Sequence, residues 1–461
     1  MQQRSEAGEE EEKKPWASSK SSALFAFFVV VLPALMILAG VSHTPATATG
    51  LSWAMLGISR PKVLIFQDPS AKDLVIVAFA HHSASCVCSG AVHKRRDGGS
   101  FCDASAGRWV RDPTGPAYTS LTCPTLPDSK NCHKYGKDPG HFHWRWQPDG
   151  CDLPRSSPEL FLAAVRGRQL AFIGDSLARN QMESLLCLLS QAETPTKVLA
   201  GDADGGGVLE WRFPAHGFTF MAITTRFLAR GEAVVGVDGK PTASFDVHLD
   251  EPDPAWASRL RGLDYAVFSG GNWLFRVNYF SEGGRRVGCS GCNDASLADF
   301  GVALAVRRVV RAALEATARC GDCKRGLVAF VRTYTPSHFE HGSWFDGSYC
   351  NRTRPWEEGA EAASWDQAIG WELRKAQIEE VTRARKTTAT TSGSRRRFEV
   401  LDVTKAMMLR ADGHPGWHYD KRSAGGANDC LHWCLPGPID MWNDVLLHKI
   451  SDISTPSPNL R

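Results

Sequence analysis

The chain has 461 residues, enough for one large domain or two ordinary ones. Hydrophobic residues make up 43% and charged residues 22%, a globular balance with material for an ample core. With 53 basic and 50 acidic residues the net charge is +3, a balance that gives no reason to invoke nucleic acid as a partner.

Residues 1–22 are polar and read as a cytosolic tail, with Glu9 to Glu12 followed by Lys13, Lys14 and Lys20. Ala23 to Val41 is then apolar and uncharged, about the length a helix needs to cross a bilayer. Pro33 lies inside it, which a membrane helix tolerates. The next Lys or Arg after the segment is Arg60, so the positive-inside rule places the N-terminus in the cytosol and the bulk of the chain in a lumen. The expectation is a signal anchor at 23–41. The rival is a cleaved signal peptide, for which Ala46-Thr47-Ala48 is a passable cleavage site. Both deliver the chain to the secretory pathway.

Residues 42–100 read as a lumenal stem, in which Leu74 to Ala80 is too short to span a membrane and is expected as a strand or packing segment. Residues 101–157 are rich in Cys and Trp, with Trp109, Trp144 and Trp146 amid Pro and Gly and without helical periodicity. That texture predicts a loop-rich, disulfide-tied region packed on the main domain.

The core is expected over 158–461. Glu159 to Val165 reads as a short helix, Leu170 to Gly174 as a buried strand, and Ala178 to Ser190 as a helix. Further strands are predicted at Phe218 to Thr224, Tyr265 to Ser269, Leu327 to Arg332 and Phe398 to Val403. Helices are predicted at Leu297 to Arg319 and Ser364 to Lys386. Alternating strands and helices predict a three-layer α/β/α domain with a mostly parallel sheet. Arg383 to Arg397 mixes basic residues with Thr, Ser and Gly, a composition that suits a solvated surface loop.

Fourteen cysteines in an oxidising compartment predict disulfides. Cys86 and Cys88 lie upstream of the core. Cys289-x-x-Cys292 and Cys320-x-x-Cys323 also resemble zinc half-sites, but no chelating histidine pattern accompanies them. Asn351-Arg352-Thr353 is the one N-glycosylation sequon, expected on an exposed loop.

Two distant segments supply hydrolase-type chemistry. In Gly174-Asp175-Ser176, the serine follows a strand and opens a helix, whose free N–H groups can stabilise an oxyanion. The competing reading makes Ser176 a helix N-cap. In Asp429-Cys430-Leu431-His432, an i, i+3 spacing on a helical turn would put both side chains on one side. The carboxylate can then hold one imidazole nitrogen and leave the other for the serine. Flanking Cys430 and Cys434 would lock the loop; a structural Asp/His pair is the alternative.

Arg179 and Asn180, just after the serine, can donate to an oxyanion or be surface residues of a first helical turn. Asn272 follows a candidate strand and can donate similarly or serve a turn. Arg332 and His338 follow another, where they line the cleft or bind a loop.

Together these stretches resemble the plant trichome-birefringence-like family of polysaccharide O-acetyltransferases. The matching residues are Cys102-Asp103 to Trp109, His143 to Pro148 with Cys151 to Arg155, the Gly174-Asp175-Ser176 block, Phe330 to Thr333 with Pro336 to Glu340, and Asp429 to Gly437. They run from about 100 to 450.

The resemblance implies a single-pass type II Golgi membrane protein with an SGNH-hydrolase-like core, and Ser176, His432 and Asp429 as its triad. Gly174 and Asp175, beside the serine, are further candidates for oxyanion or substrate contacts. The resemblance also implies disulfides 102–151 (Cys102, Cys151), 123–187 (Cys123, Cys187), 132–434 (Cys132, Cys434) and 350–430 (Cys350, Cys430). Arg179 to Ser190 looks most like the branch acting on xyloglucan side chains or on mannan. Many members have His where this chain has Asn272.

The implied reaction needs an acetyl donor, whose identity is open, a hemicellulose acceptor, and no bound metal or cofactor. An esterase with the same triad and a non-catalytic polysaccharide binder are the two rivals.

Overall fold

A computed structural model of the chain describes residues 102–199, 207–342, 347–357, 359, 365–390, 396–420 and 427–454, together with two short strands before them. The tail at 1–22, the apolar segment at 23–41, Cys86 and Cys88 lie outside the described residues. The first unit, 1–91, contributes strands β1 (Val63–Phe66) and β2 (Val75–Ala78), paired antiparallel. The second falls where Leu74 to Ala80 was expected as a strand.

In the second unit, 92–461, β3 (Gly107–Arg111) and β4 (Trp144–Pro148) form an antiparallel pair. Trp146 is buried and donates its indole N–H to the Ala104 carbonyl, and Trp109 donates to that of Ala406. Trp146 buries its ring fully and Trp109 in part, each with its one donor satisfied, which anchors this loop-rich region to the main body. Helix α1 (Pro158–Ala164) starts on the Ser157 cap; then come β5 (Gln169–Gly174) and α2 (Ser176–Leu189). They are followed by β6 (Thr196–Leu199), β7 (Val208–Phe213), β8 (Phe218–Thr224), β9 (Ala229–Val235) and β10 (Pro241–Pro252). A short α3 (Pro254–Ala257) leads to β11 (Tyr265–Ser269), β12 (Asn278–Glu282) and β13 (Arg285–Ser290). The chain continues through α4 (Val302–Arg319), β14 (Val328–Arg332), α5 (Trp365–Thr390), β15 (Arg397–Leu401), α6 (Thr404–Met408) and α7 (Asp440–Ser454).

Seven strands form the central sheet in the order β15-β14-β11-β5-β8-β7-β6. The first five are mutually parallel, and β7 and β6 add an antiparallel edge. Strands β11 and β14 are wholly buried and β5 nearly so, which is why they read as continuous apolar runs. Alternate residues of β5 face opposite cores. Leu170 and Phe172 pack with α1, α2 and α7, whereas Ala171 and Ile173 pack with α4 and α5. Helices therefore cover both faces.

The chain leaves β5 toward β8 on one side and later returns to β11 on the other, making β5 the point where strand order reverses. In open sheets of this kind a crevice lies outside the carboxyl ends at that point.

The second sheet, in the order β13-β12-β10-β9, was not expected from the sequence. Its strands are half-buried and carry charges, as in Arg230, Glu232, Asp246 and Glu282, so no apolar run marks them. Helix α7 was also missed. Helix α4 starts at Val302 rather than Leu297, because Phe300 donates its backbone N–H to Cys289 and Gly301 takes φ 63°, off the helical path.

Disulfides join Cys102–Cys151, Cys123–Cys187, Cys132–Cys434 and Cys350–Cys430. Cys289–Cys292 and Cys320–Cys323 also bond within their own pairs, which leaves neither pair as thiolates for a zinc ion.

Candidate active site

Ser176 stands one residue beyond the turn that ends β5. A Cβ on Gly174 would lie 2.0 Å from the Ser269 carbonyl oxygen, so only glycine lets β5 approach β11 this closely. Asp175, not Ser176, is the N-cap of α2: its Oδ1 accepts from the Leu177 N–H at 3.0 Å. Ser176 is the first residue of the helix proper, where backbone N–H groups lack intrahelical partners. Burial raises the Asp175 pKa, against the nearby Arg332 charge and the hydrogen bonds from Leu177 and Asn272. As acceptor and cap, Asp175 is not an oxyanion donor, and Gly174 is the last position paired with both neighbouring strands.

His432 reaches the serine from the other segment, its Nε2 lying 2.7 Å from Ser176 Oγ. Its Nδ1 lies 2.9 Å from Asp429 Oδ2 and 3.1 Å from Oδ1. The carboxylate accepts the Nδ1 proton, which leaves the Nε2 lone pair facing the serine hydroxyl. The segment is not a helical turn, as the spacing suggested. Asp429 forms an isolated backbone bridge with Gly416, and its Oδ1 accepts the N–H groups of Leu431 at 3.2 Å and His432 at 2.9 Å. A side chain that folds back on the amides two and three residues ahead gives the same juxtaposition without helix. Burial pushes the Asp429 pKa up. The adjacent His432, its hydrogen bonds and Lys130 at 3.8 Å outweigh this and hold the carboxyl well below the usual range.

The loop is held on every side. Cys430 and Cys434 are disulfide-bonded, Cys434 donates its N–H to Gly413, and Leu435 donates to the Lys130 carbonyl. Asn180 is fully buried, accepts the Trp433 N–H at 2.8 Å and donates to the Trp433 carbonyl at 3.3 Å. It is therefore neither an oxyanion donor nor a surface residue; it clamps the histidine's neighbour to the serine's helix. Arg179 is half-buried beside Glu183, 3.9 Å away.

His338 does not line the cleft either. It lies behind the loop, with Nε2 3.0 Å from the Met408 carbonyl and Nδ1 2.7 Å from Nε2 of His414. His414 Nδ1 is in turn 2.7 Å from the His432 carbonyl. Satisfying all three contacts takes three ring protons, one more than two neutral imidazoles carry. Burial opposes that charge, lowering His338 to about 4 and His414 well below its usual value. Arg332 is buried with its guanidinium 4.4 Å over the Trp442 ring, and burial lowers its pKa to about 10 against the attraction of Asp175. It acts on the site through Asp175. Asn272 alone of the flanking candidates stands at the turn, its Nδ2 donating to Asp175 Oδ2 at 3.4 Å. Asn351 is exposed on a loop.

Lys130 and His414 were missed in the sequence. Lys130 precedes Cys132 by two residues, so the bridge to Cys434 was the signal that could have placed it beside the loop. His414 had no local signal.

A serine, an imidazole and a half-buried carboxylate in series at the carboxyl edge of a parallel sheet define the class of serine acyl-ester enzymes. The chain belongs to the GDSL/SGNH-like acyl-esterase family found in Pmr5 and Cas1p, whose profile matches residues 153–449. The PMR5 N-terminal domain profile matches residues 100–152. Similar curated proteins include xyloglucan O-acetyltransferase 4 of Populus trichocarpa, 46% identical over 77% of this chain and 81% of that protein. Xyloglucan O-acetyltransferase 2 of Arabidopsis thaliana is 41% identical over 76% and 83% respectively. Protein trichome birefringence-like 25 of the same plant is 40% identical over 75% and 76%.

Proposed function

We propose that this chain transfers acetyl groups to a hydroxyl of a hemicellulose, with xyloglucan the favoured acceptor. The observation that carries the reading is the 2.7 Å contact of Ser176 with a carboxylate-held His432, in a chain whose similar proteins are named for this transfer. Ser176 Oγ attacks the acetyl carbonyl while His432 Nε2 takes the hydroxyl proton. His432 then gives that proton to the departing donor group, leaving acetyl-Ser176. A sugar hydroxyl attacks the acetyl-serine, His432 takes its proton, and returning it to Ser176 Oγ releases the ester. The Ser176 backbone N–H and Asn272 Nδ2 are the donors proposed for the oxyanion. The core is read as an SGNH-type three-layer domain, carried in the Golgi lumen by the apolar segment at 23–41. The acceptor arrives as polysaccharide, and the acetyl donor is a separate substrate.

The test is mass spectrometry of xyloglucan, mannan and xylan oligosaccharides after incubation with the enzyme and an acetyl donor. Acetyl mass is expected on xyloglucan fragments and absent with Ser176→Ala. Transfer by the Ala variant at the wild-type rate would refute the serine's role. The family's acyl-esterase description favours water as the rival acceptor, and acetate released from acetylated glycan without transfer would support it.

A further inference from the structure

The loops after β8 and β11 flank the serine's turn on either side. Thr225 donates its N–H to the Gly174 carbonyl at 2.8 Å, and Asn272 donates to Asp175. The next residue of each loop is Arg226 and Trp273. The Arg226 guanidinium lies 5.1 Å from the Trp273 ring centre and 5.7 Å from that of Phe245. The Arg276 guanidinium lies 4.5 Å from the same indole. Phe245 meets Trp273 edge-on at 5.6 Å, fixing the ring against the second sheet. Two cations thus share one indole at the lip of the crevice. Arg226 is exposed, and among the described residues the carboxylates of Glu232 and Glu251 pair with Arg230 rather than with it.

Holding two guanidiniums together is unfavourable unless an anion joins them. Burial and the charge of Arg226 both lower the Arg276 pKa. A planar guanidinium presents a fork of N–H donors that matches phosphate oxygens two at a time, and stacking on an aromatic ring orients the fork. A neutral glucan acceptor carries no negative charge to offset the two guanidiniums.

We propose that Arg226 and Arg276, stacked on Trp273, form a subsite for a phosphate group of the acetyl donor, which makes the donor an acylated phosphate-bearing carrier. The inference rests on the acetyl-transfer reading. The carrier's phosphate binds the arginine pair while its acetyl carbonyl reaches Ser176, and the carrier leaves with the proton that His432 returns.

The full-length enzyme is tested with two donors, acetyl-coenzyme A, which carries phosphates, and p-nitrophenyl acetate, which does not. Arg226→Gln, Arg276→Gln and the double variant are compared with wild type, and unreactive coenzyme A binding is measured by calorimetry. The double variant is expected to raise KM for acetyl-coenzyme A and weaken coenzyme A binding at least tenfold, while p-nitrophenyl acetate turnover stays within twofold. Arg226→Lys should retain part of the binding. Unchanged coenzyme A binding in the double variant, no binding by wild type, or equal loss on both donors would overturn the subsite. So would a rise in KM confined to the polysaccharide acceptor. Coenzyme A binding that depends on the arginines without acetyl transfer would leave the subsite standing and sink the transfer reading; normal transfer in the double variant would do the reverse.

Discussion

Asp429 accepts the ring N–H of His432 and two backbone N–H groups of its own loop, so one carboxylate fixes both the imidazole and the peptide that carries it. Asp429→Asn keeps an oxygen for the backbone contacts but offers an N–H toward Nδ1, which favours the tautomer with its proton on Nε2. That tautomer cannot take the serine's proton, and kcat is expected to fall on the order of 10³–10⁴-fold with little change in thermal midpoint. Steady-state kinetics beside a melting curve checks this. Asn180 shows the opposite division. Its side chain touches no reacting atom, yet both its polar atoms bind the Trp433 backbone in a fully buried place. Asn180→Leu strands that N–H and carbonyl, so a loss of about 1–3 kcal/mol is expected in denaturant titration, along with a lower kcat as His432 loosens.

At the scale of elements, the site is made by two pieces that must be held in register, the β5-to-α2 turn and the loop from Asp429 to Gly437. The first is held by Gly174 against Ser269 and by the Asp175 cap. The second is held by two disulfides, by Asn180, and by the His338–His414 pair behind the His432 carbonyl. That pair gives the loop a pH dependence with a definite sign. His338 ionises near 6.5 in an unfolded chain and is lowered to about 4 by burial. Its contribution is full above pH 6.5 and is lost as pH falls toward 4, because only the unfolded state then binds the proton. His338→Gln keeps a donor and an acceptor but no titration. Its stability deficit relative to wild type is expected to shrink between pH 6.5 and 4 in parallel thermal melts. A deficit that grows in acid would show the sign to be wrong.

For the molecule as a whole, the parallel sheet and its flanking helices were legible because strands buried on both faces must be continuous apolar runs. Phe218 to Thr224 and Tyr265 to Ser269 were read with their observed limits for that reason. The half-buried second sheet was not legible, since strands such as Ala229–Val235 alternate charge with small residues and are recognised only by what they pair with. In the site, Ser176, Asp429 and His432 carried motifs, and the structure brings those three together. Asn180 was read as an oxyanion donor or a surface residue and is neither, while Arg332 and His338 were left between lining the cleft and binding a loop; all three prove to be buried supports. Proximity in sequence to a reactive residue says nothing about which side of the backbone a side chain leaves. On a helix that opens with Ser176, the fifth position, Asn180, turns inward. Lys130 and His414 show the converse, Lys130 being brought to the loop by a disulfide that spans 302 residues of sequence and His414 by a ring-to-carbonyl contact.

The central claim is that Ser176 carries the acetyl group between donor and polysaccharide. Its most direct test is peptide mass spectrometry of the enzyme quenched at short times after mixing with acetyl donor, before and after addition of xyloglucan oligosaccharide. The expected result is an acetyl mass on the peptide containing Ser176, lost on addition of the oligosaccharide as the same amount of acetylated oligosaccharide forms. An acetylated oligosaccharide that forms with Ser176 unmodified at every time, or an acetyl-serine that persists while product accumulates, would contradict it.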